Sequence, residues 1–323
     1  MPELPEIESL RRSLAPDLLG HALTLDRLYR PDIVRASWNG PLSRRGRQTL
    51  TPPEQLSLSK VQRLERRGKQ LAIVGEDGRV LCVQLGMSGR LLLSQSTQPQ
   101  PPHTHAQWSV RPIDPVRGSH ASSLVLRFVD PRRFGGLGAF ESFEALLQRA
   151  WSRLGPDALD LADSDLRRLA RGRRSIKATL LDQAALAGVG NIYADESLFL
   201  ARIDPARRAG SLREHECDRL AAAVRAVLSR AVESGGSTLR DYVDAQGRPG
   251  SAQSHHNVYG RSGQPCPLCA RPLRSRLLAQ RTTVWCPFCQ PRRPSRHIES
   301  RGNPKPPSDA NLRHIRVFHI RPR

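Results

Sequence analysis

Residues 180–205 read LLDQAALAGVGNIYADESLFLARIDP, two helical patterns split by Gly188-Val189-Gly190-Asn191. The glycines end the first helix, and Asn191 is placed to cap the second. The reading is therefore a helix, a tight turn and a second helix. Backbone N–H groups at the start of the second helix are suited to hold a phosphate, with Lys177 and the basic run Arg171, Arg173 and Arg174 just upstream. Such a turn on its own is ordinary helix packing, and its meaning depends on what surrounds it.

The surroundings are basic. The chain has 323 residues, with 51 Lys and Arg against 30 Asp and Glu, a net charge of +21 that points to an acidic partner. Apolar residues make up 38% and there are 24 glycines, enough for a folded core. No stretch approaches the roughly 18 apolar residues of a membrane helix, and the start MPELPEIESL lacks the basic and apolar regions of a leader. A cytoplasmic protein with no membrane attachment is expected.

Moving outward from the turn, FEALLQRAW, LADSDLRRLARG and HECDRLAAAVRAVLSRAVESG continue the helical character, so residues 143–250 form a helical domain. On its N-terminal side, residues 1–142 open with a helix over 5–18, Pro5 in its first turn and Ile7, Leu10 and Leu14 at helical spacing. Short runs such as KQLAIVG, RVLCVQLGM, RLLLS and SSLVLRFVD then read as strands of a sandwich or flattened barrel. Residues 94–107 (SQSTQPQPPHTHAQ) read as an exposed loop.

On the C-terminal side, Cys266, Cys269, Cys286 and Cys289 form two CxxC pairs sixteen residues apart within 257–291. Two such knuckles complete a tetrahedron around one structural zinc ion and leave no position for water. Cys82 and Cys217 are solitary thiols without a role. Residues 292–323 hold nine Lys and Arg, two acidic residues and five prolines. This composition predicts a basic disordered tail, either a solubilising appendage or an extra DNA-contacting arm. The fold class is α+β and multidomain.

Taken in order, MPELPE, QLGMSG at 84–89, DPRRFGG at 130–136, GVGNIYADE at 188–196, VYGR at 258–261 and the four-cysteine finger resemble the formamidopyrimidine-DNA glycosylase family from residue 1 to about 290. The resemblance implies an N-terminal β-sandwich, a central helix–two-turns–helix domain, a zinc finger and double-stranded damaged DNA bound between them by a monomer. It also implies excision of oxidised purines followed by cleavage of the abasic strand. Removal of Met1 exposes the secondary amine of Pro2, and an α-amine with a pKa of about 7.7–8.0 is partly neutral and nucleophilic at neutral pH.

By resemblance, Glu3 assists sugar opening and Glu6 orders the site. Lys69 matches the proton donor for β-elimination. Arg281 matches the donor for δ-elimination, with phosphate positioning an equally good role given its high pKa. Met87, Arg132 and Phe134 match the residues that fill the gap left by an everted nucleotide. His103, Tyr259 and Arg240 fall among DNA contacts, Arg240 where the family commonly has Lys. Two other readings remain: a sister endonuclease VIII type acting on oxidised pyrimidines, and a non-catalytic zinc-ribbon DNA-binding protein. Leu4 in place of Gly, with Met87, Arg132 and Phe134, argues against the first. The joint presence of Pro2-Glu3, Lys69 and Arg281 argues against the second.

Overall fold

The computed structural model describes residues 2–35, 53–113, 124–239 and 241–292. The expectations placed on Arg240 and on the tail beyond Arg292 lie outside these residues. Helix α1 (Leu4–Leu18) begins with Pro5 in its first turn, where a missing N–H costs nothing. Its apolar positions serve two cores. Ile7, Leu10, Leu14 and Leu18 enter the sandwich, while Leu4 packs with the helical domain. The helix is thus wedged between the two.

Strands β1 (His21–Leu28), β2 (Val61–Arg67), β3 (Gln70–Gly75), β4 (Val80–Gln84), β5 (Arg90–Gln95), β6 (Thr104–Pro112), β7 (Leu124–Val129) and β8 (Gly136–Phe140) form two four-stranded sheets. Their orders are β1-β6-β7-β5 and β2-β3-β4-β8, with every pair antiparallel. A sandwich, not a closed barrel, is the outcome. Leu71 and Ile73 of β3 face the core between the sheets, where Trp108, Leu126 and Phe128 meet them. The alternate residues Ala72 and Val74 face outward beneath helix α2 (Phe143–Arg149). Coverage of both faces explains why β3 reads as an unbroken apolar run. It also places α2 on the sheet rather than with the helical segment.

The loop expected over 94–107 is shorter than its composition suggested. Ser94 and Gln95 end β5, and Thr104 to Gln107 already belong to β6, paired with β7.

Helices α3 (Asp163–Leu169), α4 (Ile176–Leu181), α5 (Asn191–Leu200) and α6 (Glu214–Glu233) enclose the second core, with Tyr193, Leu198 and Leu228 at its centre. Strands β9 (Arg274–Leu278) and β10 (Arg281–Trp285) make the finger hairpin. Ala279 and Gln280 join them with φ of 48° and 58°. Two left-handed residues match the twist of a tight hairpin, a conformation that costs a non-glycine residue about 1 kcal/mol or more. The turn ends immediately before Arg281. Among the described residues no helix is long and apolar enough to cross a membrane.

Candidate active site

The start of α1 meets the start of α5. Glu3, only 1% exposed, accepts hydrogen bonds from the amides of Gly190 (2.7 Å) and Ile192 (3.0 Å). The N–H groups expected to hold a phosphate are therefore taken by a carboxyl group of the same chain. Nor does Asn191 cap the helix: Gly190 stands at the cap, and Asn191 donates through Nδ2 to the Thr282 carbonyl at 3.0 Å.

The glycines have a purpose beyond ending a helix. A Cβ on Gly190 would lie 2.2 Å from Glu3 Cδ, and one on Gly188, where φ is 110°, 2.3 Å from Leu4 Cδ1. Both exist to admit the chain's N-terminal turn, which is pinned by Leu4 N–H to the Gly188 carbonyl at 3.1 Å.

Glu6 lies beside Glu3. Its Oε2 accepts from the Glu3 amide at 2.7 Å, and its Oε1 accepts from the Tyr193 hydroxyl (2.5 Å) and the Ser237 amide (2.7 Å). Burial, and then the Glu3 carboxylate next to it, push its carboxyl above the ordinary range. Pro2, the residue before this pair, is itself buried.

Lys69 sits on the β2–β3 turn, half-buried. Burial lowers its ammonium pKa and Arg281 adds to that effect, while Glu3 and Glu6 work the other way. Lys69 is therefore within electrostatic reach of Glu3, Glu6 and Arg281. A lysine lowered this way gives up its proton more readily at neutral pH.

The turn carrying Lys69 is fixed by Asp157, which accepts from the Gly68 amide (2.8 Å) and from Arg66 Nη1 (2.6 Å) and Nη2 (3.0 Å). Arg66 in turn meets Glu8 of α1 at 3.1 Å. One chain of ion pairs thus sets Lys69 relative to the helix bearing Glu3 and Glu6.

Met87 and Phe134 are each 39% exposed, unusual for large apolar side chains, and the Arg132 guanidinium lies 4.8 Å from the Phe134 ring centre. A single buried residue joins their two loops. Asp130 accepts from Ser88 Oγ (2.6 Å) and from the Gly135 amide (2.7 Å). His103 is exposed with φ of 63° and gives its carbonyl to the Asp130 amide at 3.1 Å. Arg171 and Arg173 are exposed, and Arg174 pairs with Asp182 at 2.7 Å.

Lys177, expected among the phosphate contacts, is turned inward. Its side chain is fully buried, with Nζ 2.6 Å from Asp195 Oδ1 and 2.7 Å from Thr283 Oγ1. A buried ammonium requires a partner, and this one ties α4 and α5 to β10. Asp195 Oδ2 also accepts from the Val284 amide at 3.0 Å. Glu196, the next residue of α5, accepts from the amides of Asn257, Val258 and Tyr259. Tyr259 is half-buried, its ring packed on the helical core.

The sulfurs of Cys266, Cys269, Cys286 and Cys289 lie within 4.8 Å of one another, with closest pairs at 3.5 and 3.9 Å. Four ligands about 2.3 Å from one ion stand about 3.8 Å apart at the corners of a tetrahedron, so the cluster fits a four-thiolate metal site.

Sequence reasoning did not single out Tyr193, Ser237, Asp130, Asp157, Asp195 or Glu196. Four of these lie inside recognisable motifs, but the residues they hold are distant in the chain.

Comparison with known proteins agrees with this geometry. The model of the formamidopyrimidine-DNA glycosylase N-terminal domain matches residues 1–137, and that of the family's H2TH domain matches residues 154–243. A formamidopyrimidine-DNA glycosylase of Thermomicrobium roseum is 44% identical over 302 residues, covering 90% of this chain and 99% of its own. The crystal structure of MutM (Fpg) from Thermus thermophilus superposes with a TM-score of 0.73 at 40% identity, over 91% of this chain and 100% of that one. A mutant of Lactococcus lactis Fpg, solved with DNA containing Fapy-dG, gives 0.75 at 30% identity, over 90% and 100%. The chain belongs to the formamidopyrimidine-DNA glycosylase family.

Proposed function

We propose that this protein is a base-excision repair glycosylase that removes oxidised purines, 8-oxoguanine and formamidopyrimidines, from duplex DNA and then cleaves the abasic strand. The observation that carries the reading is that Lys69 feels Glu3, Glu6 and Arg281, groups drawn from three parts of the chain, with Pro2 joined directly to Glu3. With Met1 removed, the neutral Pro2 amine attacks the sugar C1′ and the damaged base leaves. Glu3, aimed by the α5 amides, gives a proton to the ring oxygen as the sugar opens. The iminium that results acidifies the C2′ proton, and elimination breaks the strand. Lys69, its pKa lowered by burial, serves as proton donor for β-elimination. Arg281 places the phosphate for the second, δ-elimination.

Met87, Arg132 and Phe134 occupy the gap left by the extruded nucleotide, since a base in the stack is out of reach. Asn191, Arg171, Arg173, His103 and Tyr259 belong to the DNA-facing set. Zinc held by the four cysteines supplies no reaction step; four thiolates fill its shell and set the hairpin that bears Arg281. The protein acts as a cytoplasmic, DNA-associated monomer.

Single-turnover assays on duplexes carrying 8-oxoguanine, formamidopyrimidine or an oxidised pyrimidine test this reading. Oxidised purines released and the strand cut are expected; preference for oxidised pyrimidines would favour the endonuclease VIII type. Binding without cleavage of any duplex would leave only a DNA-binding protein.

A further inference from the structure

The site has a second side. From Glu6 a row of hydrogen bonds leads through Tyr193 and Ser237 to His256. The Tyr193 hydroxyl is 2.5 Å from Glu6 Oε1, Ser237 Oγ is 3.1 Å from the Tyr193 hydroxyl, and His256 Nε2 is 3.1 Å from Ser237 Oγ. Glu6, Tyr193 and Ser237 are each no more than 4% exposed, whereas His256 is half-buried. His256 borders a small cavity that Tyr193, Glu196, Val227, Arg230 and His255 also line. The row begins at the carboxyl group that holds the Glu3 amide and ends at a half-buried imidazole.

We propose that His256 is a proton-relay residue, through which Glu6 exchanges its proton with solvent while DNA covers the opposite face. The inference rests on the reading of Pro2 as nucleophile. Bond formation between Pro2 nitrogen and C1′ turns a secondary amine into an ammonium, whose N–H must be lost before the iminium forms. That proton passes to Glu6, whose Oε2 accepts the amide hydrogen of Glu3, the residue joined to Pro2, at 2.7 Å. The Tyr193 hydroxyl, which donates to Glu6 Oε1 at rest, turns to donate to Ser237 Oγ, and the Glu6 carboxyl group turns to bring its proton from Oε2 to the Tyr193 oxygen. Glu6 then gives that proton to Tyr193 as the Tyr193 proton passes to Ser237 Oγ. The Ser237 proton passes to His256 Nε2 in the same movement. A carboxylic acid and a neutral imidazole become a carboxylate and an imidazolium, so charge and atoms balance. The imidazolium discharges to solvent and the row resets.

The groups at each end suit a shuttle. Burial raises the Glu6 carboxyl, so it accepts a proton that an ordinary glutamate would refuse. Burial first, with His255, favours neutral His256, and Glu196 of α5 opposes them. The other groups around the imidazole are Arg230 of α6 across the cavity, the Tyr259 ring with its centre 5.7 Å away, and Arg261, which donates to the His256 carbonyl. A purely structural account is that His256 steadies the Ser237 loop. Neither role is visible in the sequence, because His255 and His256 precede the VYGR motif without periodicity.

Chemical rescue separates these accounts. The rate of borohydride trapping on abasic-site duplex is measured across pH for wild type, His256→Ala, His256→Asn, Tyr193→Phe and the Tyr193→Phe/His256→Ala pair. The relay predicts a loss of about tenfold in both His256 variants, below the ~10²–10⁴-fold typical of a directly acting acid or base. DNA affinity should be unchanged and the pH profile shifted. Imidazole buffers should restore His256→Ala in proportion to buffer base, and Tyr193→Phe should abolish that rescue. Wild-type rates in the His256 variants, or a loss that no buffer rescues, overturn the relay. Failure of the wild-type protein to trap would instead remove the reading of Pro2 on which it rests.

Discussion

Glu3 occupies the N-terminus of α5 and adjoins Pro2, the proposed nucleophile, so its position depends on a glycine nearly 190 residues away. Gly190→Ala sets a methyl group 2.2 Å from Glu3 Cδ, and one of the two must move. Displacements near 1 Å cost roughly 10²-fold in rate, so single-turnover excision should fall by about that factor while circular dichroism stays native. A variant with wild-type excision would show that Glu3 does not need the α5 amides. At this scale the sequence displayed the chemical groups but not their partners. Pro2, Glu3, Lys69 and Arg281 carry their motifs openly. Lys177 misleads, because a lysine in a basic run looks the same whether it faces phosphate or a buried Asp195.

Among elements, α5 is the hub. Its first amides hold Glu3, Tyr193 holds Glu6, Asp195 holds β10 and Glu196 holds the strand of chain entering the finger. The helix–turn–helix pattern was legible from its glycines and apolar spacing. Its inward polar residues were not, since their partners arrive from the N-terminus and from beyond residue 256. Lys177→Met leaves Asp195 buried without its cation and should cost about 3–5 kcal/mol in urea unfolding. Pairing it with Asp195→Leu should recover much of that stability. An undiminished single variant would refute the buried pair.

The junction of α1 and β2 has a pH signature. Burial acts to raise the Glu8 carboxyl, but Arg11, Arg12 and Arg66 outweigh it and take it from 4.5 to about 2. A folded-state pKa below the unfolded one gives stability that is full above pH 4.5 and disappears as pH falls toward 2. Discounted for the solvent around Arg11 and Arg12, the contribution is about 2 kcal/mol. Glu8→Gln should lower neutral-pH stability by that amount and flatten the acid limb of the unfolding curve; parallel curves for the two proteins would contradict it.

Of the net charge of +21, nine Lys and Arg against two acidic residues, a net of +7, lie past Gln290. Deleting the chain after Gln290 should reduce the slope of log affinity against log salt on undamaged duplex, because each phosphate contact adds roughly 0.9 to it. An equal slope would show that those residues do not touch DNA. The strands were readable from short apolar runs, which left a sandwich and a flattened barrel both open. The attachment of α2 to the sheet was not, because a helical pattern does not say which core it covers.

The proposed chemistry rests on one small group, the amine of Pro2. Incubating the protein with an 8-oxoguanine:cytosine duplex and sodium borohydride, then digesting it and sequencing the cross-linked peptide, tests that directly. The covalent bond to DNA should fall on Pro2 and disappear when Met1 is retained. An adduct on Lys69, or none from protein shown to begin at Pro2, would contradict the account.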